Sequence, residues 1–267
     1  MLNQIPQAVT IAGSDSDGSA GMQADLHTFF RHEVYGASIL TACVAGNSFG
    51  IHDSVNLPTS FIDSEFKALA EDYQIKAAKT GMLSDSKLIN TVVTNYKKYN
   101  FGPLVVDPVI TTKHGNELLD ASAYQTLRDT LIPLAYVITP NFFEAQKLAE
   151  MSITSEDDIK LAAQKLQQLG AKNIVIKGAH NDPNQTEVKD YVLLEDQSDF
   201  WLTAPYHPTD RVNGTGDTLS ASITAELAKG ASVEAAIRTA KRFVDAAIAN
   251  EIIVGHKFGP INHWAKF

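Results

Sequence analysis

The stretch "AVTIAGSDSDGSAGMQADLHTFFRHEV" (8–34) contains, in order, a short apolar run, a polar glycine-rich loop and a helical pattern. The run "AVTIAG" (8–13) shows little polar alternation, which is typical of a strand that is buried on both faces of a parallel sheet. Segment 19–34 predicts a helix, because its apolar residues recur at close to helical spacing. These residues are Met22, Leu26, Phe29 and Phe30. Strand, loop and helix in this order indicate an α/β fold.

The same kind of unit recurs along the chain. Three further apolar runs predict buried strands: "LVVDPVI" (104–110), "YVITP" (136–140) and "NIVIKGA" (173–179). Two segments have strong helical patterns: "SEDDIKLAAQKLQQLG" (155–170), with Ser155 as N-cap and Gly170 as its stop, and "SVEAAIRTAKRFVDAAIANE" (232–251). The segment 190–205 predicts a hairpin instead, with "EDQSD" as its turn, at an antiparallel edge of the sheet.

Length and composition limit the class of protein. The chain has 267 residues, is 44% hydrophobic and contains no linker or repeat, which predicts one domain over residues 1–267. No signal peptide and no membrane span are expected, and the lone Cys43 excludes an intramolecular disulfide, so we expect a cytoplasmic protein. The net charge of −9 argues against nucleic-acid or anionic-lipid partners.

Polar groups follow each predicted strand, where parallel α/β sheets bind their ligands. The most informative group lies in "RVNGTGDTLSASI" (211–223), where a glycine-rich turn leads into a helix that is predicted to begin near Thr218. Backbone N–H groups at a helix N-terminus can hold a phosphate, and glycines permit its close approach. Asp217 would repel a phosphate, so it fits either a helix N-cap or a general base for a hydroxyl that attacks phosphorus.

Several motifs together resemble the ribokinase-like superfamily, in particular its vitamin-kinase branch of hydroxymethylpyrimidine (phosphate) kinases and similar pyridoxal kinases. The stretches "VTIAGSDSDGSAGMQADLHTF" and "NGTGDTLSASI" carry this resemblance. Between and after them, in the order of the branch, stand "KTGML" (79–83), "VVDPVI" (105–110), "TPNFFEA" (139–145), "VIKGAH" (175–180) and "FGPINH" (258–263). The resemblance covers nearly the whole chain. It implies a three-layer α/β/α fold with a mostly parallel central sheet and a small antiparallel edge.

On the nucleotide side, the resemblance implies that Asp217 is the catalytic base and that Lys177 contacts the phosphates of ATP. The anion hole would consist of Gly214, Thr215 and Gly216, the two glycines also binding ATP. Asn141 and Glu144 would hold Mg²⁺ beside the phosphates, usually through water, with Asn141 also near ATP. Asp107 would help to fix the metal, and oxygen ligands with retained waters suit magnesium. "FGPIN" would lie near the adenine.

On the acceptor side, the resemblance places Ser14 and Asp25 at the polar edge of a heteroaromatic ring. Met82 would pack against that ring, and Val109 would also bind the substrate. The segment "TTKHG" (111–115) would be a mobile flap over the substrate. A homodimer is also implied by the resemblance.

The chain departs from the pyrimidine kinases of this branch at two positions. These kinases, and many of the similar pyridoxal kinases, usually have cysteine at the catalytic position, where this chain has Asp217. The pyrimidine kinases also usually have glutamine at the position of Gly46 in "TACVAGNSFGIHD" (41–53). Glycine cannot make the paired hydrogen bonds by which that glutamine binds an aminopyrimidine. His52 stands where pyridoxal-type members often have histidine and could meet the phenolic oxygen of pyridoxal.

These features predict an ATP- and Mg²⁺-dependent kinase for the 5′-hydroxymethyl group of a B6 vitamer. Hydroxymethylpyrimidine (phosphate) kinase is the first alternative, and a sugar kinase is the second. A non-catalytic binder of nucleotide or vitamin phosphate is a third alternative, since a fold alone never determines function. The first strand is not followed by GxGxxG, so a Rossmann-type dehydrogenase has no support.

Overall fold

The computed structural model describes residues 5–110, Leu119, 121–179 and 184–267. In this part of the chain, nine strands form one sheet in the order β3-β2-β1-β4-β5-β6-β7-β8-β9. The strands are β1 (Gln7–Asp15), β2 (Tyr35–Asn47), β3 (Gly50–Asn56), β4 (Ala77–Thr80), β5 (Leu104–Val106), β6 (Val137–Ile138), β7 (Asn173–Ile176), β8 (Glu187–Leu193) and β9 (Asp199–Pro205). Strands β2, β1, β4, β5, β6 and β7 are parallel. Antiparallel strands extend both edges, β3 on one side and the β8–β9 hairpin on the other.

Helices cover both faces of the sheet. They are α1 (Gly21–Arg31), α2 (Thr59–Asp72), α3 (Ser86–Lys98), α4 (Ala121–Thr126), α5 (Phe142–Ala149), α6 (Glu156–Gln168), α7 (Thr215–Ala228) and α8 (Val233–Ala249). A π-helical turn (Leu127–Leu131) and a 3₁₀ turn (Ile132–Leu134) continue α4. Helices α1, α7 and α8 pack on one face, and α2 to α6 on the other. Within the described residues, no helix is long and apolar enough to span a membrane.

The central strands are buried on both faces, as their apolar sequences predict. On β5, Leu104 and Val106 belong to the core beneath α2–α6, whereas Val105 belongs to the core beneath α7 and α8. The predicted three-layer α/β/α fold with antiparallel edges is therefore confirmed. That residues 1–267 form a single domain stays a prediction.

Some local predictions hold and others need correction. Ser155 caps α6 by accepting a hydrogen bond from the Asp158 amide, as predicted, and Gly170 follows the helix at φ +107°. On α1, however, Phe30 is 84% exposed although its spacing placed it on the apolar face. The buried face of α1 is instead formed by Ala24, Asp25, Thr28 and Phe29. The apolar pattern misplaces the buried face of α1 because one residue on that face is the charged Asp25.

Candidate active site

The chemically interesting residues gather at the carboxyl edge of the parallel strands. Asp107 follows β5, Asn141 follows β6 and Lys177 follows β7. Parallel strands end at the same edge of a sheet, so the loops after them share one crevice. Helix α7 begins at this edge, and its Asp217 is within 3.3 Å of Lys79 on β4. Four strands and one helix N-terminus therefore build a single site.

Gly214 sets the direction in which α7 enters the site. It is the N-cap of α7 and adopts φ +78°, a left-handed conformation that L-residues rarely adopt. A Cβ atom at this position would also overlap the backbone oxygen of Ser19. The helix therefore begins at Thr215, three residues before the predicted start near Thr218. As a result, Thr215, Gly216 and Asp217 form the first turn, whose N–H groups have no acceptor within the helix.

Gly216 leaves room between the helix and two charged side chains. A Cβ atom there would lie 3.3 Å from Lys177 Nζ and 3.4 Å from Asp107 Oδ2. Lys177 Nζ is itself 3.4 Å from Asp107 Oδ1. Burial lowers the pKa of Lys177, but the neighbouring Asp107 and Glu144 carboxylates more than offset this, so its pKa is raised. The lysine is therefore a permanent cation beside the first turn of α7, where an anion is favoured.

Asp217 lies in the first turn of α7 with 20% of its side chain exposed. Its Oδ1 atom accepts a hydrogen bond from Lys79 Nζ at 3.3 Å. The carboxylate is thus held from the interior and open towards the crevice. This placement suits a group that exchanges a proton with a ligand in the crevice.

Glu144 connects the loops after β5 and β6. Its side chain accepts hydrogen bonds from the Ile110 amide at 2.9 Å and from the Asn141 amide at 2.7 Å. Asn141 in turn accepts one from the Glu144 amide, so the two residues form a capping box on α5. Glu144 is only 2% exposed, and burial, aided by the nearby Asp107, raises the pKa of its carboxyl. Asp107 is likewise 5% exposed.

The donor set here suits magnesium better than a transition metal. Among the described residues, no three His, Cys, Asp or Glu side chains converge as a ready-made metal site. Asp107 and Glu144 instead provide two neighbouring carboxylates next to a lysine. Mg²⁺ keeps several waters and commonly binds one or two carboxylates together with substrate phosphates.

Comparison with known proteins places the chain in a family. The sequence profile of the phosphomethylpyrimidine kinase family matches residues 15–262. The chain belongs to this family. A hydroxymethylpyrimidine/phosphomethylpyrimidine kinase of Haemophilus influenzae is 44% identical over 265 residues, which cover 99% of this chain and 98% of that protein.

Solved structures show the same relationship. The pyridoxal kinase of Bacillus subtilis, solved as an ADP complex, matches with a TM-score of 0.90 at 38% identity and covers 98% of both chains. The pyridoxal kinase of Staphylococcus aureus, solved with AMP-PCP and pyridoxal, has a TM-score of 0.88 at 33% identity, with 98% of this chain and 95% of that chain covered. The resemblance to ribokinase-like vitamin kinases is therefore confirmed. These relatives are all kinases, but their names divide between two kinds of acceptor.

The "FGPIN" segment of this family member lies directly beside the glycine-rich turn that precedes α7. The Asn213 amide donates to the Gly259 oxygen at 3.0 Å, and the Ile261 amide donates to the Asn213 oxygen at 3.3 Å. Asn213 immediately precedes Gly214, so the segment borders the predicted phosphate site. Its predicted position near the adenine stays a prediction.

Three residues predicted to contact the acceptor ring lie around the same edge of the sheet. Ser14, at the end of β1, accepts a hydrogen bond from Gln23 Nε2 at 2.7 Å. The Met82 methyl group packs against Gly13, where a Cβ atom would be only 3.2 Å away. Val109 adopts φ +46°, a strained conformation for a β-branched residue, between Asp107 and the Ile110 amide that binds Glu144. Their predicted ring contacts stay predictions.

Asp25 occupies a different place from the one predicted at the ring edge. Its side chain is completely buried, and its two oxygens accept hydrogen bonds from Lys79 Nζ and from Thr10 Oγ1, each at 2.5 Å. A ligand in the crevice therefore has no direct access to this carboxylate in the structure. Asp25 lies behind Asp217, and Lys79 connects the two acids.

Gly46 and His52 lie on the β2–β3 hairpin. The register between these strands shifts between Ala45 and Gly46. Ser16 Oγ donates to the Gly46 oxygen at 2.8 Å and accepts from its amide at 2.9 Å, which ties the hairpin to the loop after β1. His52 is exposed on β3. The predicted flap, residues 111–115, lies outside the described residues.

Lys79 is the member of the site to which the sequence motifs assigned no role. Lys79 is the first residue of the "KTGML" motif, but a lysine in such a short strand gives no hint of complete burial. Strand β4 reads "AAKT", and the burial of all four residues appears only in the structure. Lysine is almost never fully buried unless it is paired.

A second polar cluster in this family member has the hydrogen-bond order of a hydrolase triad but no access to substrate. Ser222 Oγ and His32 Nε2 are 2.8 Å apart, and His32 Nδ1 is 2.8 Å from Glu226 Oε1. Ser222 is 0% exposed and His32 is 3% exposed. The cluster connects α1 to α7 within the core, so its role is structural.

Proposed function

We propose that this protein transfers the γ-phosphoryl group of ATP to the 5′-hydroxymethyl group of a B6 vitamer such as pyridoxal. The proposal of a B6 vitamer rather than a pyrimidine as acceptor rests on Gly46. The pyrimidine kinases that the chain resembles usually read the aminopyrimidine with a glutamine at this position. Glycine has no side chain that could make these hydrogen bonds. The polar edge of an aminopyrimidine would therefore lack its partner, and the pyrimidine would bind less tightly.

The geometry supports a division of roles among the site residues. Asp217 accepts the proton of the acceptor hydroxyl as its oxygen attacks the γ-phosphorus, and the bond from that phosphorus to the β-phosphate oxygen breaks to release ADP. Lys177 and the first-turn amides of α7 offset the charge on the transferred group. Gly214 and Gly216 keep that space free of side-chain atoms. Ser14, Met82, Val109 and His52 are proposed to surround the acceptor ring.

Magnesium is the metal proposed for the carboxylates of Asp107 and Glu144. When bound, it would neutralise phosphate charge and orient the nucleotide. Glu144 already accepts two backbone hydrogen bonds, so we expect it to bind magnesium through a water molecule. Asp107, whose Oδ2 atom faces Gly216, is the better placed of the two acids for the phosphate region.

The second candidate acceptor is hydroxymethylpyrimidine or its phosphate. The names of the curated relatives favour it, since the Haemophilus influenzae protein at 44% identity is described by that activity. A non-catalytic binder is less well supported, because Asp107, Glu144, Lys177 and Asp217, each able to serve its proposed role, are all present. Loss of catalysis would be expected to leave at least one of them changed.

The deciding experiment compares kcat/KM for pyridoxal, pyridoxine and hydroxymethylpyrimidine with ATP and Mg²⁺. We expect the two B6 vitamers to be used better than the pyrimidine. A clear preference for the pyrimidine would replace the proposed acceptor by the second candidate. Absence of turnover with all three would favour the non-catalytic binder.

Gly46→Gln should weaken the use of pyridoxal relative to hydroxymethylpyrimidine. A Cβ atom at Gly46 would lie 3.0 Å from the Gly50 oxygen, so any side chain there disturbs the hairpin somewhat. Gly46→Ala is therefore the matched control, since it adds the same Cβ without the amide. The measurement is the ratio of kcat/KM for the two acceptors in both variants, and equal ratios would mean that position 46 does not contact the ring.

A homodimer is proposed as the assembly. Strand β3 is exposed along its whole length, and Ile51 and Val55 on it are 69% and 62% exposed. A second copy of the chain would cover this apolar edge. Light scattering that gives the mass of a single 29.0 kDa chain at micromolar concentration would contradict this proposal.

A further inference from the structure

A line of buried polar groups runs from β1 to the proposed base. Thr10 donates to Asp25 Oδ2, Lys79 donates to Asp25 Oδ1, and Lys79 also donates to Asp217 Oδ1 at 3.3 Å. Thr10, Asp25 and Lys79 are all 0% exposed. The groups come from β1, α1, β4 and α7, so four elements of the fold contribute to it.

A buried cation is costly, and the arrangement around Lys79 shows how this cost is offset. Desolvation of a charged group is strongly unfavourable unless counter-charges and hydrogen bonds compensate it. Burial lowers the pKa of Lys79, but Asp25 and Asp217 more than reverse the effect, so its pKa is raised. The ammonium group therefore stays charged between the carboxyl groups of Asp25 and Asp217. Burial raises the pKa of Asp25 to about 7, and the neighbouring Lys79 opposes this rise. An ion pair with Asp25 alone would need no contact with the crevice, yet Lys79 also reaches Asp217.

The contact with Lys79 restrains one oxygen of Asp217. Among the described residues, the Oδ2 atom of Asp217 accepts no hydrogen bond, while Oδ1 is held by Lys79 from the interior. Gly81 lies beside this pair, where a Cβ atom would be in ordinary van der Waals contact with Lys79 Nζ at 3.8 Å and with Asp217 Oδ1 at 3.9 Å. One carboxylate oxygen is thus anchored and the other is available to the crevice.

We propose that Lys79 is a positioning residue for Asp217, and that Asp25, held by Thr10, is the counter-charge that keeps this lysine buried. The inference rests on the proposed function, in which Asp217 is the base. Lys79 fixes the rotamer of Asp217, so that the free oxygen points at the acceptor hydroxyl. A misdirected base loses catalytic efficiency without loss of substrate binding.

The test separates positioning from simple structural support. Lys79→Met alone leaves Asp25 buried without its partner, so it should lower both Tm and kcat. The double variant Asp25→Asn/Lys79→Met removes both buried charges, which is often close to neutral for stability. We expect the double variant to recover most of the Tm, while its kcat stays at least about 10-fold below wild type and each KM stays within about threefold. Recovery of kcat together with Tm would overturn the proposal.

A double-mutant cycle with Asp217→Asn gives a second readout. If Lys79 acts through Asp217, Lys79→Gln should lower kcat in the wild-type background and change the residual kcat of Asp217→Asn by less than about twofold. Equal losses in both backgrounds would overturn the proposal. Lys79→Gln keeps a polar donor at this position, so this readout also serves if the Met variants do not fold.

The outcomes also separate this inference from the proposed function. Wild-type turnover in Asp217→Asn, or no turnover of wild-type protein with any acceptor, would remove Asp217 as the base. An impaired Asp217→Asn variant together with a fully active Asp25→Asn/Lys79→Met variant would remove only the role of Lys79.

Discussion

Asp217→Asn should lower kcat by on the order of 10²-fold or more, the scale expected when a general base is removed. Asparagine has nearly the same shape, and its amide oxygen can still accept the hydrogen bond from Lys79. The fold and the ion pair between Lys79 and Asp25 should therefore persist. Because the variant loses only the proton acceptor, we expect KM for ATP to change by no more than a few fold.

Asp210→Asn is the matched control for this experiment. Asp210 is exposed in the loop that leads to the same helix, so its substitution removes one negative charge near the site without touching Asp217. Its kcat should remain at the wild-type level. Near-normal turnover of Asp217→Asn, measured in the same assay, would exclude Asp217 as the base.

Gly214→Ala should cost both stability and activity. An L-residue in the left-handed region costs roughly 1–2 kcal/mol, and here the added Cβ would also overlap the Ser19 oxygen. Relieving that overlap requires a backbone shift, at a further cost of about 1–3 kcal/mol. Such a shift would move the first turn of α7, so we expect a loss of kcat in addition to a lower Tm.

Gly230→Ala separates the two contributions. Gly230 follows the other end of α7 at φ +86°, but a Cβ atom there would meet nothing within 4 Å. This control should therefore show only the conformational penalty and should keep full activity. The measurements are urea unfolding and kcat of both variants. Equal destabilisation would show that the contact with Ser19 does not contribute.

Much of the architecture could be predicted from local pattern. Apolar runs with little alternation indicated β1, β5, β6 and β7, because strands buried on both faces need apolar residues throughout. The hairpin of β8 and β9 and the capping of α6 by Ser155 were also predicted, and the structure shows both. These features depend on neighbours in the sequence, so the sequence contains the information.

Strands β2, β3 and β4 were not predicted, and for β3 and β4 the reason can be identified. Strand β3 is exposed at every residue, and Asp53 lies between its two large apolar residues, Ile51 and Val55, so no regular apolar alternation marks it. Strand β4 has only four residues, and one of them is a lysine. In both cases the pairing with other strands decides the structure, and local pattern does not report it.

By itself, the sequence determined the fold class, the family and the residues that gather at the carboxyl edge of the sheet. Only the tertiary structure decided how the charged groups among them pair. Asp25 looked like a residue at the ring edge, yet it lies beneath Asp217 because Lys79, 54 positions further along the chain, binds it in the interior. The partners of a buried charge come from distant elements, and the cost of burying that charge unpaired forces them together.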